Sequence, residues 1–271
     1  MNLLDLIFPQ GLYCISCGRP LPRQKEDAAA LCERCAGEIE WITGRSCAKC
    51  GRPLSNENPG VLCRDCANTT RQSFTKGYAC ALYAGRAAEC VRDMKYRDKA
   101  WYADTLAALM AERLLSEADP DTGEMPYYDY IAAVPMASKK KASRGYDQAV
   151  LLARGLSRRT GIPYLSKTLF RVRETGVMSS LSGEERRQNL EFAFSVGYDM
   201  IKMIKNKRIL LADDVFTTGS TLDASAEALI AAGAAGVDVI VFAIGADSKL
   251  RQEDRPAVVE SPGQLRAKGP T

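Results

Sequence analysis

At 271 residues, 46% apolar and 26% charged, the chain has an ordinary globular balance and is long enough for one large domain or two smaller ones. A net charge of +4 is too small to argue by itself for a nucleic-acid partner. The absence of any histidine excludes imidazole as base, nucleophile or metal ligand, and no run of about 18 uncharged apolar residues predicts a membrane span.

The first segment, MNLLDLIFPQGL, is apolar but carries Asp5, lacks a basic start and has no small-residue cleavage site. It is expected to form a short docking helix, not a secretion signal, which makes a cytoplasmic location the expectation.

Cysteines come next. Eight of the ten form four CxxC pairs: Cys14/Cys17, Cys32/Cys35, Cys47/Cys50 and Cys63/Cys66. CISCGRPL at 14–21 returns as CAKCGRPL at 47–54, and LCERCA at 31–36 returns as LCRDCA at 62–67, so the segment is an internal duplication. A CxxC turn presents two thiolates on one side of a tight loop, and two such turns complete a tetrahedron around Zn²⁺. Disulfides need an oxidising compartment and have no reason to favour four identical spacings. Two structural zinc ions are therefore expected, most simply on Cys14/Cys17/Cys32/Cys35 and on Cys47/Cys50/Cys63/Cys66; a cross-braced pairing of the first and third turns is the alternative. Cys80 and Cys90 lack such partners and read as core thiols.

This predicted zinc domain, residues 1–77, holds ten Lys/Arg and eight Asp/Glu. Two Zn²⁺ with eight thiolates add a charge of about −4, so the metallated module is close to neutral. A local patch of Arg19, Arg45, Lys49 and Arg52 leaves phosphate contact open beside a purely structural role.

From residue 78 to about 250 helices and apolar runs alternate. Leu106, Leu109, Met110 and Leu114 share a helical face; YIAAVP at 130–135 reads as a buried strand; Ala149, Leu152, Ala153 and Leu156 form a second stripe that stops near Gly161 and Pro163. RILLA at 208–212 and VDVIVFAI at 237–244 are further buried strands, with a helix between them through Leu222, Ala226, Leu229 and Ile230. Strands without alternation, separated by helices, imply a parallel sheet covered on both faces, with ligands at its carboxyl edge. Residues 251–271, with prolines among charges, read as a disordered tail.

The sharpest signal is ILLADDVFTTGST at 209–221. Thr217, Thr218, Gly219, Ser220 and Thr221 offer backbone N–H groups and hydroxyls at a helix mouth, where the dipole favours an anion. Asp213 and Asp214 would repel that phosphate and so suit another part of the ligand, such as a ribose diol or a magnesium-bound sugar. A receiver domain also pairs acids after an apolar strand, but only one predicted strand follows Asp214.

This segment resembles the phosphoribosyl-diphosphate (PRPP) signature of type I phosphoribosyltransferases. The resemblance implies an α/β, Rossmann-like sheet with helices on both faces, Asp213 and Asp214 on the ribose hydroxyls, and Thr217–Thr221 on the 5′-phosphate. VPMASKKKASRGYDQAVLLA at 134–153, LFRVRETGVMSSLSGEERRQNLEFAF at 169–194 and Lys95-Tyr96 narrow the resemblance to the ComF (ComFC) competence family, which joins a double zinc ribbon to such a domain. Asp147, Met178 and Phe192 stand where that family usually carries Asn, Gln and Gly. The basic group Lys139, Lys140, Lys141 and Arg144 is then expected to hold the diphosphate with Mg²⁺. Family membership implies handling of incoming single-stranded DNA with DNA-uptake partners. Trp41, Tyr96, Trp101, Tyr127, Tyr128 and Tyr146 are candidate stacking residues. The alternative is Mg²⁺-dependent phosphoribosyl transfer to an unidentified acceptor, with Asp213, Asp214 and Arg144 as catalytic candidates.

Overall fold

The computed structural model describes residues 13–21, 29–55, 58–69, 73–97, 99–172 and 193–246. The expected docking helix at 1–12, Arg173, Thr175, Met178, Leu181, Arg186, Asn189 and Phe192 of the family block, and the expected tail lie outside the described residues.

A four-stranded sheet runs in the order β1 (Gly77–Leu82), β6 (Gly236–Ile244), β5 (Arg208–Phe216), β2 (Tyr130–Ala133), with every neighbouring pair parallel. The three predicted strands are present. The one read as ending at Ala212 continues four residues to Phe216, so both aspartates belong to the strand itself. Nothing in the periodicity marks β1, whose six residues are all buried.

Two helical layers cover the sheet. On one face α3 (Gly85–Tyr96), α4 (Tyr102–Leu115) and α6 (Gln148–Thr160) pack Val91, Met94, Leu106, Met110, Leu152 and Leu156 onto Ile131, Leu210, Ile240 and Phe242. On the other, α7 (Tyr198–Ile204) and α8 (Ser220–Ala231) set Ile204, Leu222, Ala226 and Leu229 against Ile209, Leu211, Val239 and Val241. Each fully buried side chain of this size contributes about 1.5–3 kcal/mol of transfer free energy. The expected helix through Leu222, Ala226, Leu229 and Ile230 is α8, in which Ile230 turns away from the sheet and is 40% exposed. A small antiparallel hairpin of β3 (Leu169–Arg171) and β4 (Phe194–Val196) stands beside this layer.

The cysteine-rich region wraps the edge of β1. Its residues 40–42 pair with that edge, Ile42 N–H donating to the Cys80 carbonyl at 2.8 Å and Leu82 N–H to the Glu40 carbonyl at 2.9 Å. An open strand edge is thereby covered. The two halves of the duplication then part: Cys14, Leu31, Cys35 and Ile39 join the first hydrophobic cluster, whereas Cys47, Cys50, Cys63 and Phe74 join the second.

Candidate functional site

Each half of the duplication builds one four-sulfur cluster. Cys14, Cys17, Cys32 and Cys35 form the first, and Cys47, Cys50, Cys63 and Cys66 the second, with the sulfurs of each within 4.8 Å of one another. The sequential pairing is therefore the one realised. Short helices α1 (Glu33–Gly37) and α2 (Arg64–Ala67) begin directly after Cys32 and Cys63 and carry the last cysteine of each set. A tetrahedral Zn²⁺ with bonds of about 2.3 Å needs sulfurs about 3.8 Å apart. Cys17 and Cys32, and Cys50 and Cys63, stand 3.7 Å apart, so both clusters fit structural zinc. Cys80 and Cys90 are core thiols, pushed up to about 12 and about 11 by burial and hence unreactive.

The acidic pair sits at the carboxyl end of β5, flanked by β6 and β2. Asp214 is 6% exposed, and its Oδ1 accepts from Lys95 Nζ at 2.7 Å. Burial acts to lower the lysine's pKa, but the Asp214 charge and hydrogen bond outweigh it and hold the ammonium above its ordinary range. Asp213, half-buried, accepts the Asp214 N–H at 2.8 Å. Burial first, and the Asp214 charge second, push its carboxyl up to about 8, against the pull of Lys95. One acid is thus neutralised by a fixed cation, and the other favours its protonated form at neutral pH.

The hydroxyl-rich turn follows at once. Gly219 caps α8 with a left-handed φ of 79°, and a Cβ there would lie 2.4 Å from the Phe216 ring. Only glycine fits this combination of dihedral and close approach. Thr217 and Thr218 are exposed, Thr221 is half-buried, and Ser220 is buried with its hydroxyl 3.0 Å from that of Thr218. The first N–H groups of α8 have no carbonyl a turn earlier, and the helix dipole is aligned behind them. The turn is therefore a polar, electropositive mouth directly beside the acids.

The basic group forms α5 (Ser138–Arg144), a short helix containing Lys139 and Lys140 and stopped by Gly145 at a φ of 76°. Lys141 is exposed, and Arg144 places its guanidinium 4.7 Å from the centre of the Tyr96 ring. Tyr96 follows Lys95 directly, so Arg144 is drawn to the helix that neutralises Asp214. Asp147, buried, caps α6 by accepting the Val150 N–H at 3.4 Å and also accepts the Met136 N–H at 3.4 Å. Its charge adds to the upward push on Asp213.

Of the candidate stacking aromatics, Tyr96, Trp101 and Tyr127 are 71%, 61% and 69% exposed. Tyr128 is instead buried, its hydroxyl donating to Asp238 Oδ2 at 2.7 Å, and half-buried Trp41 donates to the Ala36 carbonyl at 2.9 Å. Tyr146, half-buried, donates its hydroxyl to the Met94 carbonyl.

Sequence reasoning named Lys95 and Arg52 but not the places the fold gives them, Lys95 as the partner of Asp214 and Arg52 beside Thr217. Neither contact has a local signal, since 119 and 165 residues separate the partners.

Two family descriptions match the chain: a double zinc ribbon domain over residues 3–67 and a phosphoribosyl transferase domain over residues 142–265. Competence protein F of Haemophilus influenzae is 32% identical over 213 residues, 78% of this chain and 87% of that protein. The DNA utilization protein YhgH of Salmonella typhi is 29% identical, with 83% of this chain and 94% of that protein covered. Competence protein ComFC of Bacillus subtilis is 26% identical, with 76% and 80% covered.

Proposed function

The chain belongs to the ComF family of competence proteins, and from that premise we propose that it acts in DNA uptake, handling incoming single-stranded DNA in the cytoplasm with PRPP as the ligand of its phosphoribosyltransferase domain. The observation that carries the ligand is the succession along one strand and turn: Asp213, Asp214, then Thr217–Thr221 at the mouth of α8.

The donor set suits a sugar phosphate better than a bare cation. With Asp214 committed to Lys95 and Asp213 held high, the pair offers both hydrogen-bond donors and acceptors to two vicinal hydroxyls. The turn takes the 5′-phosphate, as helix mouths with free amides do. Mg²⁺ would supply further positive charge to the bound diphosphate, and Arg144 and the lysines of α5 would balance the remaining negative charge. Exposed Tyr96 and Trp101 flank the connection between α3 and α4 and supply π-faces on which unpaired bases can stack. DNA-uptake proteins are the expected partners.

Calorimetry with PRPP, with and without Mg²⁺, on the wild type and on Asp213→Asn/Asp214→Asn tests the ligand. Loss of binding in the double variant is expected; unchanged affinity would sink the ribose assignment. Salt-dependent titration with single-stranded DNA tests the partner, and pyrophosphate release across a nucleobase panel without DNA affinity would favour phosphoribosyl transfer instead.

A further inference from the structure

The two halves of the duplication share their backbone but not their side-chain contacts. In the first turn Cys14 N–H donates to the Arg19 carbonyl at 2.8 Å, and in the second Cys47 N–H donates to the Arg52 carbonyl at 2.7 Å. Gly18 and Gly51 have φ values of 70° and 76°. Yet Arg19 is exposed, whereas Arg52 is 2% exposed and among the most deeply buried large side chains described.

The second ribbon is built against the sheet. A Cβ on Gly51 would lie 2.5 Å from the Gly77 carbonyl oxygen, at the start of β1, while one on Gly18 would meet nothing within 4 Å. Arg52 uses one terminal nitrogen on Asp65 and sends the other to the Thr217 carbonyl at 3.5 Å. The position equivalent to Asp65 in the first ribbon is Arg34, which pairs with Glu38, so the Arg52–Asp65 pair belongs to the second ribbon alone.

A second route meets the same turn. Lys49, from the same cysteine loop, donates to the Phe74 carbonyl and lies 5.2 Å from the centre of its ring. Phe74 packs edge-on against Phe216 at 6.0 Å, and Phe216 is the ring seated under Gly219. Ser73 N–H also donates to Asp223 in the first turn of α8.

We propose that Arg52 is a positioning residue for the phosphate-binding turn, fixing the Thr217 carbonyl from within the second zinc ribbon. The peptide group is planar and trans, so holding the Thr217 oxygen toward Arg52 directs the Thr218 N–H the opposite way. The guanidinium thus orients an amide of the anion site without touching the anion. Arg52 is carried between Cys50 and Cys63, two residues of the second four-cysteine cluster, so the turn is held from a part of the chain that the cluster fixes. The ligand part of this inference rests on the PRPP reading; the positioning part does not.

The test uses the full zinc-loaded chain and the variants Arg52→Met, Asp65→Asn and Arg19→Met. Zinc content, amide hydrogen exchange across residues 217–221 without ligand, and calorimetry with Mg²⁺ and PRPP are measured for each. Arg52→Met and Asp65→Asn are expected to retain two zinc ions, to exchange faster at the turn, and to bind PRPP roughly two- to thirtyfold more weakly, the span seen for changes along packed networks. Arg19→Met should match the wild type. Should Arg52→Met lose zinc or unfold, Asp65→Asn decides, since Asp65 is half exposed and its replacement leaves the buried guanidinium in place. Unchanged exchange in Asp65→Asn, unchanged affinity in Asp65→Asn where the wild type binds PRPP, or an equal change in Arg19→Met, overturns the proposal. If wild type fails to bind PRPP while the exchange pattern is as expected, the ligand reading falls and the positioning role stands.

Discussion

Lys95 Nζ lies 2.7 Å from Asp214 Oδ1, tying the last turn of α3 to the carboxyl end of β5. Both side chains are largely withdrawn from water, at 20% and 9% exposure, so each depends on the other for compensation. The pair removes one negative charge from the place where a phosphorylated ligand is proposed to sit.

Breaking that pair from one side leaves a buried carboxylate without its cation. Lys95→Met is expected to cost about 3 kcal/mol, the lower end for a one-sided break of a buried pair. Adding Asp214→Asn should recover most of the loss, which urea unfolding of the two single variants and the double variant would read as a coupling energy. Simple additivity of the two changes would contradict the pairing.

Asp213 carries a pH signature of its own. Its folded-state pKa, raised to about 8, lies above that of the unfolded carboxylate, so between the two values the folded chain binds more protons. Its contribution to stability is therefore greatest at low pH and falls as pH rises through that window, by at most about 1.4 kcal/mol per pH unit. Asp213→Asn should flatten this slope and be the more stable protein above about pH 8; parallel urea-midpoint curves from about pH 6 to about pH 9 would count against it.

Gly219→Ala tests the turn. The substitution combines a left-handed φ with a collision against the Phe216 ring, itself held by Phe74. A cost of about 2 kcal/mol or more is expected from backbone strain, with PRPP affinity lowered about tenfold. Urea unfolding and calorimetry measure the two effects separately.

At the exposed edge, Tyr96→Ala should weaken single-stranded DNA binding by about 1–3 kcal/mol, as loss of one stacking face does. Arg144→Ala should lower the salt dependence of binding by about one counterion if its guanidinium meets a phosphate. Anisotropy titrations over a salt series measure both; an unchanged slope and affinity in both variants would remove this edge from the DNA surface.

The ribbons share hydrophobic clusters with the sheet, so their metal is expected to stabilise more than themselves. Chelation should lower the thermal midpoint of the whole chain by roughly 5–10 °C in a single transition. Two separate transitions, with the later one unmoved, would show the ribbons to be thermodynamically independent.

Much of the site was legible before the fold because its determinants are local. The CxxC spacing alone brings two sulfurs to one side of a turn, and ILLADDVFTTGST carries strand, acids, glycine and helix start in order. The apolar runs likewise announced three of the four parallel strands. β1 escaped because GYACAL is short, small in its side chains and without alternation.

By itself, then, the sequence determined the four-cysteine turns, the succession of acids and hydroxyls at 213–221 and the class of sheet that presents it, all set by spacings of a few residues. Only the tertiary structure decided that the two ribbons part to opposite faces of the sheet, that Lys95 rather than α5 neutralises Asp214, and that Arg52 is buried against Thr217 while its duplicate Arg19 faces water. Closely similar local segments acquire different roles because burial depends on what packs against them, and the partners that matter at this site, Thr217 for Arg52 and Asp214 for Lys95, lie more than a hundred residues away.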